Sequence, residues 1–328
     1  MASILITGGA GYIGSVVTEA LREAGRDIVV LDSLVAGHRE AVRGDVPFYK
    51  GDIADTELLE RIAQRHDIRQ VVHLAALVSV SESVAMPLKY FANNTAKVIS
   101  MLETLIKHGL KNVVFSSTAA TYGDARYVPV DEAHPQNPTH PYGISKHIVE
   151  QILDWLEKAH GLTYVSLRYF NAAGATETHG EDHSPETHLI PLVLRVPMGL
   201  SESIAIYGTD YPTPDGTCIR DYVHVSDLAD AHLKALEYLE EGNASEKFNL
   251  GNSVGFSVRE VVNTAEKITG MTIQTKEQAR RSGDPAVLVA SSDKARKILR
   301  WAPRYPELDS IVRSAWEWHR MHPAGYRG

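Results

Sequence analysis

Cysteine is nearly absent: Cys218 stands alone in 328 residues. One thiol closes no internal disulfide and builds no cysteine zinc site. Such usage fits a reducing compartment. Long apolar runs are missing too, and no stretch reaches the ~18 residues that a membrane span needs. Lys and Arg form no clusters, and the formal net charge is -8. That balance argues against nucleic acid or a membrane surface as partner. The first residues, MASILITGG, enter a strand pattern with no basic leader. The expectation is a cytoplasmic protein acting on a small molecule. Fifteen histidines are scattered along the chain. His179, Asp182, His183 and His188 gather locally but lack a helical ligand spacing, so no metal is expected.

What is present is a core-forming chain, 44% hydrophobic, long enough for one large domain or two. The first half alternates short apolar runs with amphipathic ones. Strands are expected at Ser3–Thr7, Asp27–Asp32, Pro47–Lys50, Gln70–Leu74, Asn112–Ser116 and Thr163–Tyr169. Helices are expected near 14–24, 57–64, 90–108 and 142–159. Such alternation predicts a Rossmann-type α/β fold, a doubly wound parallel sheet with helices on both faces. Beyond about Asn171, Pro and Gly break the helical period. This predicts a nucleotide-binding domain over 1–172 and a smaller C-terminal α/β substrate domain over 173–328. The helical pattern from Val225 to Leu239 suggests that 223–250 packs back on the first domain.

TGGAGYIG, residues 7–14, lies between the first strand and the first helix. Gly8, Gly11 and Gly14 let a backbone turn tightly and approach a pyrophosphate, which the helix N-terminus then meets with free N–H groups. A Gly-rich loop alone is a weak signal. Here a strand precedes it, a helix follows, and an acid, Asp32, closes the second strand. A carboxylate there accepts ribose hydroxyls and repels a 2′-phosphate, which favours NAD over NADP. Asp52, after the third strand, either meets an adenine edge or caps the helix before Thr56.

PYGISK begins at Pro141 and opens a helix. Tyr142 and Lys146 are four apart and share a face. A phenol near pKa ~10 is a poor base at neutral pH. A nearby ammonium and a cationic nicotinamide would both stabilise the phenolate, as general acid–base catalysis requires. A hydroxyl that binds the same substrate oxygen is then expected at a strand end. FSSTAATYG, from Phe115, supplies Ser116, Ser117, Thr118 and Thr121.

The segments TGGAGYIGS, FSSTAATYG, PYGISK, LRYFNAAGA, THLIP, IYGTDYPTPDGTCIRDYVHVSDLADAH, FNLGN and RRSGDPA span nearly the whole chain. With them the sequence resembles the extended short-chain dehydrogenase/reductase superfamily, and within it the UDP-glucose (UDP-galactose) 4-epimerases. The resemblance implies reversible inversion at C4 of a UDP-sugar through a 4-keto intermediate, with tightly bound NAD. It implies Tyr142 as base, Lys146 as its partner and Thr118 as the substrate hydroxyl. Cofactor contacts would fall on Gly8, Gly11, Tyr12, Ile13, Gly14, Asp32, Ser33, Asp52, Ile53, Leu74, Ala75, Ala76, Asn94, Ser116 and Phe170. Substrate contacts would fall on Asn171, His188, Leu189, Tyr207, Arg220, Arg281, Asp284 and Leu288, and a homodimer is implied. The two arginines suit a diphosphate. Val78 stands where many members carry Lys. Leu288 is intermediate between the bulky and small residues that restrict or admit N-acetyl sugars, so UDP-hexosamines stay open, as do UDP-pentoses. Dehydratases of the superfamily resemble Thr-Asp-Glu where this chain has Thr118–Ala119–Ala120. A non-catalytic nucleotide sensor remains the reading from another class, although sensors tend to lose the Tyr/Lys pair.

Overall fold

The computed structural model describes residues 3–281 and 284–327; Ser282 and Gly283 of the RRSGDPA motif lie outside them. The first unit runs β1 (Ser3–Thr7), α1 (Tyr12–Glu23), β2 (Ile28–Asp32), β3 (Phe48–Lys50), α2 (Thr56–His66) and β4 (Ile68–His73). It continues with α3 (Val80–Ala85), α4 (Pro87–Phe91), α5 (Lys97–Lys107), β5 (Asn112–Thr118), α6 (Pro141–His160) and β6 (Thr163–Tyr169). There follow β7 (Asn171–Ala173), α7 (Leu189–Leu194), β8 (Ile204–Tyr207), β9 (Ile219–His224), α8 (Val225–Glu240) and β10 (Glu246–Leu250). The chain ends with β11 (Gly255–Ser257), α9 (Val258–Thr269), β12 (Thr275–Gln278), β13 (Val287–Leu288), α10 (Asp293–Ile298) and α11 (Leu308–Met321).

Seven parallel strands make one sheet in the order β10-β6-β5-β4-β1-β2-β3. The chain reverses direction of travel between β1 and β4, which is where such sheets bind ligands. Both faces are covered, so the strands are apolar throughout. Alternate residues feed opposite cores: Ile4 and Ile6 face α1 and α8, while Leu5 faces α2, α5 and α6. Each fully buried Ile or Leu contributes about 1.5–3 kcal/mol.

A third, smaller core lies among α7, α9 and α11 and the short strands β7 and β9. β9 is paired on its two edges by β11 and β13, and also by β7. α8 and β10 return to the first unit. The segment 293–301, grouped with the substrate domain in the sequence reading, returns as well. Ala295, Leu299 and Trp301 join the first core, and the Trp301 indole N–H donates to the Asp227 carbonyl at 2.8 Å. A six-residue helix and one Trp give too little periodicity for this to be read in advance.

The expected helix over 90–108 is not one α-helix. A π-helical turn, Ala92–Ala96, separates α4 from α5. One wider turn costs good hydrogen-bond geometry and commonly marks a functional side chain. Here it carries Asn94.

Candidate active site

Backbone packing builds the glycine loop. Gly8 has φ +76°, and a Cβ there would lie 2.6 Å from the Ala75 nitrogen. A Cβ on Gly14 would lie 2.0 Å from the Gly8 carbonyl oxygen. Loop and helix therefore meet with no room for a side chain. Gly11 caps α1 without a side-chain bond, so the first N–H groups of that helix stay available at its end. Tyr12 is buried, and its hydroxyl donates to the Gly174 carbonyl at 2.6 Å. Ile13 is half-buried beside it. The Asp32 carboxylate accepts from the Ala10 and Leu34 N–H groups at 2.9 and 2.8 Å. Those bonds fix the acid beside the loop, and each oxygen keeps a lone pair for a ribose hydroxyl. Ser33 is exposed next to it. A cradle that excludes any Cβ, an anion-ready helix end and a fixed acid fit a dinucleotide.

The end of β4 closes the same crevice. The Leu74 and Ala75 N–H groups both donate to the Thr7 carbonyl, at 2.9 and 3.0 Å, and Ala76 follows. The buried Asn94 amide then bonds Leu77 in both directions, at 2.9 and 2.8 Å, and reaches Ser145 of α6 at 3.3 Å. It braces the segment where the cofactor contacts were expected. Val78 is exposed. Asp52 does not cap α2. Asp55 does, accepting the Leu58 N–H at 3.0 Å, because it is the residue immediately before the first turn. Asp52 instead accepts the Ala54 N–H at 2.9 Å and pairs with Lys97. Burial would raise its carboxyl, but the Lys97 and Ala54 bonds outweigh that and lower it. Ile53 is buried alongside. Phe170 is half-buried at the end of β6, and its N–H donates to the Leu250 carbonyl at 3.1 Å.

Thr118 is the last residue of β5. Its Oγ1 accepts the Ala120 N–H at 3.1 Å and fixes the turn that follows. A Cβ on Gly143 would lie 2.5 Å from the Ala120 carbonyl oxygen. The missing side chain lets the first turn of α6 press against that turn, which brings Tyr142 to Thr118. His140 caps α6, accepting the Gly143 N–H at 3.2 Å, and its ring lies parallel to the Tyr142 ring with centroids 6.1 Å apart. Lys146 is buried. Its ammonium donates to the Ser116 carbonyl at 2.8 Å and sits 4.9 Å from the Phe115 ring centroid.

The electrostatics differ from expectation. Burial brings Lys146 down to about 7. Burial also pushes the Tyr142 phenol up, and a hydrogen bond with Thr118 opposes it. The Lys146 ammonium donates to the Ser116 carbonyl. Burial thus favours the protonated phenol, and a cationic nicotinamide, where one is bound, would supply an opposing charge. Ser117 and Thr121 point elsewhere: Ser117 donates to Glu150 at 2.6 Å, and Thr121 to the Thr118 carbonyl at 3.0 Å.

The remaining expected residues lie on the second unit. Arg220 of β9 bonds the Ile219 and Pro285 carbonyls at 2.9 and 2.8 Å and Asp284 at 3.1 Å. Leu288 of β13 is in register with Arg220. The Arg281 guanidinium lies over the Tyr207 ring, 3.9 Å from its centroid. The Asn171 amide donates to the Asp221 carbonyl at 2.8 Å, so it ties β7 to β9. His188 precedes Leu189, the first residue of α7. Its Nδ1 lies 2.5 Å from Glu181 and 3.3 Å from Glu186. Burial would lower His188, but the two carboxylates raise it to about 10. Burial would raise Glu181, but His188 and His183 hold it at about 2. Glu181 and Glu186 were missed in the sequence. They stand in Glu-x-His triplets at 181–183 and 186–188, but the same triplet at 132–134, 177–179 and 317–319 kept it from singling them out.

The profile of the NAD dependent epimerase/dehydratase family matches residues 4–251. The chain belongs to that family. It is 52% identical over 326 residues to the UDP-glucose 4-epimerase of Lacticaseibacillus casei, covering 99% of this chain and 98% of that one. The crystal structure of UDP-glucose 4-epimerase from Brucella ovis in complex with NAD has a TM-score of 0.94 at 43% identity, covering 96% and 98%. That of the Bifidobacterium longum enzyme with NAD+ and UDP has a TM-score of 0.93 at 36% identity, covering 99% and 100%. Family membership accords with the glycine cradle, the fixed Asp32 and the Tyr142–Thr118 approach. Within an epimerase/dehydratase family, the methyl groups of Ala119 and Ala120 stand where the dehydration acids were sought.

Among the described residues, no helix is long and apolar enough to cross a membrane.

Proposed function

We propose that this chain interconverts UDP-galactose and UDP-glucose by inverting C4. The observation that carries the reading is the Tyr142/Lys146 turn of α6 seated on the carboxyl end of β5, where Lys146 donates to the Ser116 carbonyl at 2.8 Å, next to a glycine cradle that suits NAD. NAD held by Gly8, Gly11, Gly14, Asp32 and Lys146 would accept the hydride from C4 and return it. The Tyr142 phenolate takes the 4-hydroxyl proton at its Oη and later gives it back. The Thr118 hydroxyl hydrogen-bonds the same sugar oxygen and steadies it between the two states. The sugar is then a 4-ketone and turns its other face to the cofactor. Arg220 and Arg281 hold the diphosphate meanwhile, since fixed guanidinium forks suit it. Asp284 keeps the Arg220 fork in one orientation.

The test uses purified chain and UDP-galactose with no NAD added. UDP-glucose is the expected product. No product, even with NAD supplied, overturns the reading and favours a sensor. UDP-GlcNAc and UDP-xylose run in parallel address Leu288, whose aliphatic side chain beside Arg220 leaves the sugar 2-substituent some room.

Two copies of the chain would pair through the outer faces of α3 to α6, where Val84, Leu88 and Trp155 are 63%, 81% and 68% exposed. Surfaces of this kind mark interaction sites. Light scattering should give twice 36.1 kDa, and Trp155→Glu should shift the mass to one copy.

A further inference from the structure

Four side chains outside the proposed chemistry converge at the junction of the two units. Glu181, His183, Glu186 and His188 each offer one ligand atom, and all four atoms lie within 4.8 Å of one another. The His183 and His188 Nδ1 atoms face Glu181 at 3.1 and 2.5 Å, and His188 Nδ1 lies 3.3 Å from Glu186. The triplet Glu-x-His, which the chain also carries at 177–179, supplies the four at 181–183 and 186–188, where the chain is neither helix nor strand. In chain of that kind, residues i and i+2 can face one side, so each triplet presents a carboxylate and an imidazole together.

A second observation concerns charge. The Glu181 and Glu186 side chains are only 5% exposed. Among the described residues, neither has a Lys or Arg partner: imidazoles face both, and Glu186 also accepts the Thr187 and His188 N–H groups at 2.7 and 2.8 Å. The contrast is Glu150, buried to the same degree but met by Arg168 at 2.7 Å. Two buried carboxylates call for two positive charges. One divalent ion supplies both and leaves the imidazoles neutral, the form that ligates metal. Two protons, one on each imidazole, are the competing solution.

We propose that Glu181, His183, Glu186 and His188 form a four-ligand site for one divalent transition-metal ion of the zinc class. Two imidazoles with two carboxylates suit zinc and its neighbours, whereas calcium and magnesium prefer oxygen alone. Four protein ligands leave no open position, so the role is structural. The location gives that role content. The His183 ring meets the edge of Tyr12 with centroids 6.3 Å apart, and Leu189 begins α7 directly after His188. The ion would pin the 174–188 segment between the glycine loop and the sugar-side helix.

The test is metal content, which does not depend on turnover. Tag-free full-length chain is stripped with a chelator, dialysed and titrated with Zn2+, and bound metal is counted by mass spectrometry. One ion per chain is expected, and Co2+ should give the visible bands of a four-coordinate site. His183→Ala and Glu181→Gln should each lower zinc affinity at least about tenfold. Should Glu181→Gln fail to fold, His183→Ala alone decides, because its ring lies outside the hydrophobic cores. Wild-type chain that binds no zinc, or binds it no better than His183→Ala, overturns the proposal and leaves the ion-pair network in its place.

Discussion

The proposed cofactor side of the crevice is held by backbone and the proposed sugar side by side chains. Gly8, Gly14 and Gly143 work through the absence of a Cβ, and their partners are carbonyl and amide groups. Arg220, Asp284, Arg281 and Tyr207 work through charges and rings brought from separate segments. A backbone cradle has one shape and tolerates almost no substitution. A side-chain network can be retuned residue by residue, which suits the part of a site that selects among sugars.

The largest effect should come from Tyr142, where the two sides meet over the reacting atom. Tyr142→Phe should lower kcat by about 10²–10⁴-fold, while absorbance of bound NAD shows the cradle intact. Normal turnover in that variant would remove Tyr142 from the chemistry.

Next comes Arg220→Ala. Losing charge-assisted bonds worth about 1.5–3 kcal/mol should raise KM tenfold or more and leave kcat closer to wild type. A fall in kcat with KM unchanged would mean that Arg220 acts on the transition state, and the contrast between the two sides would weaken.

Gly14→Ala tests the backbone side without touching any functional group. Its methyl would collide with the Gly8 carbonyl, so a loss of about 1–3 kcal/mol in stability is expected, together with lower NAD content. Wild-type stability on denaturant unfolding would show that the loop can yield.

The smallest effect is a pH dependence in chelator-treated protein. His188 is held at about 10, above its ordinary 6.5. Its contribution is therefore complete below pH 6.5 and lost as the pH rises through 10. Glu181, held at about 2 against an ordinary 4.5, contributes above pH 4.5 and loses that contribution as the pH falls towards 2. Thermal midpoints across this range should decline at both ends, and His188→Gln should flatten the alkaline limb. An unchanged alkaline limb would place the loss elsewhere.

The same division explains what could be read from the sequence. The strand–loop–helix of residues 3–23, the acid at Asp32 and the Tyr142/Lys146 spacing are local patterns, and local patterns follow the periods of helix and strand. Asn94 was named as a contact, but the π turn that aims it was not legible, since composition does not mark one extra residue in a helical turn. Asp55 took the capping role weighed for Asp52 because cap position depends on where the first turn starts, to within a residue or two. Trp301 lies some 70 residues beyond the carbonyl it bonds, and no periodicity connects them. Glu181 and Glu186 sit in irregular chain, where ligand spacing has no rule.

Trp301 and α10 carry a further consequence. The chain leaves the first unit after β6, returns with α8 and β10, leaves again, and returns once more at 293–301. A pivot needs few connections, whereas these two bodies are laced together along the whole crevice. The half-turn proposed for the sugar would then happen between units joined by several crossings of the chain. The dimensions of the space between them, rather than any large motion, would set which sugars can complete the rotation.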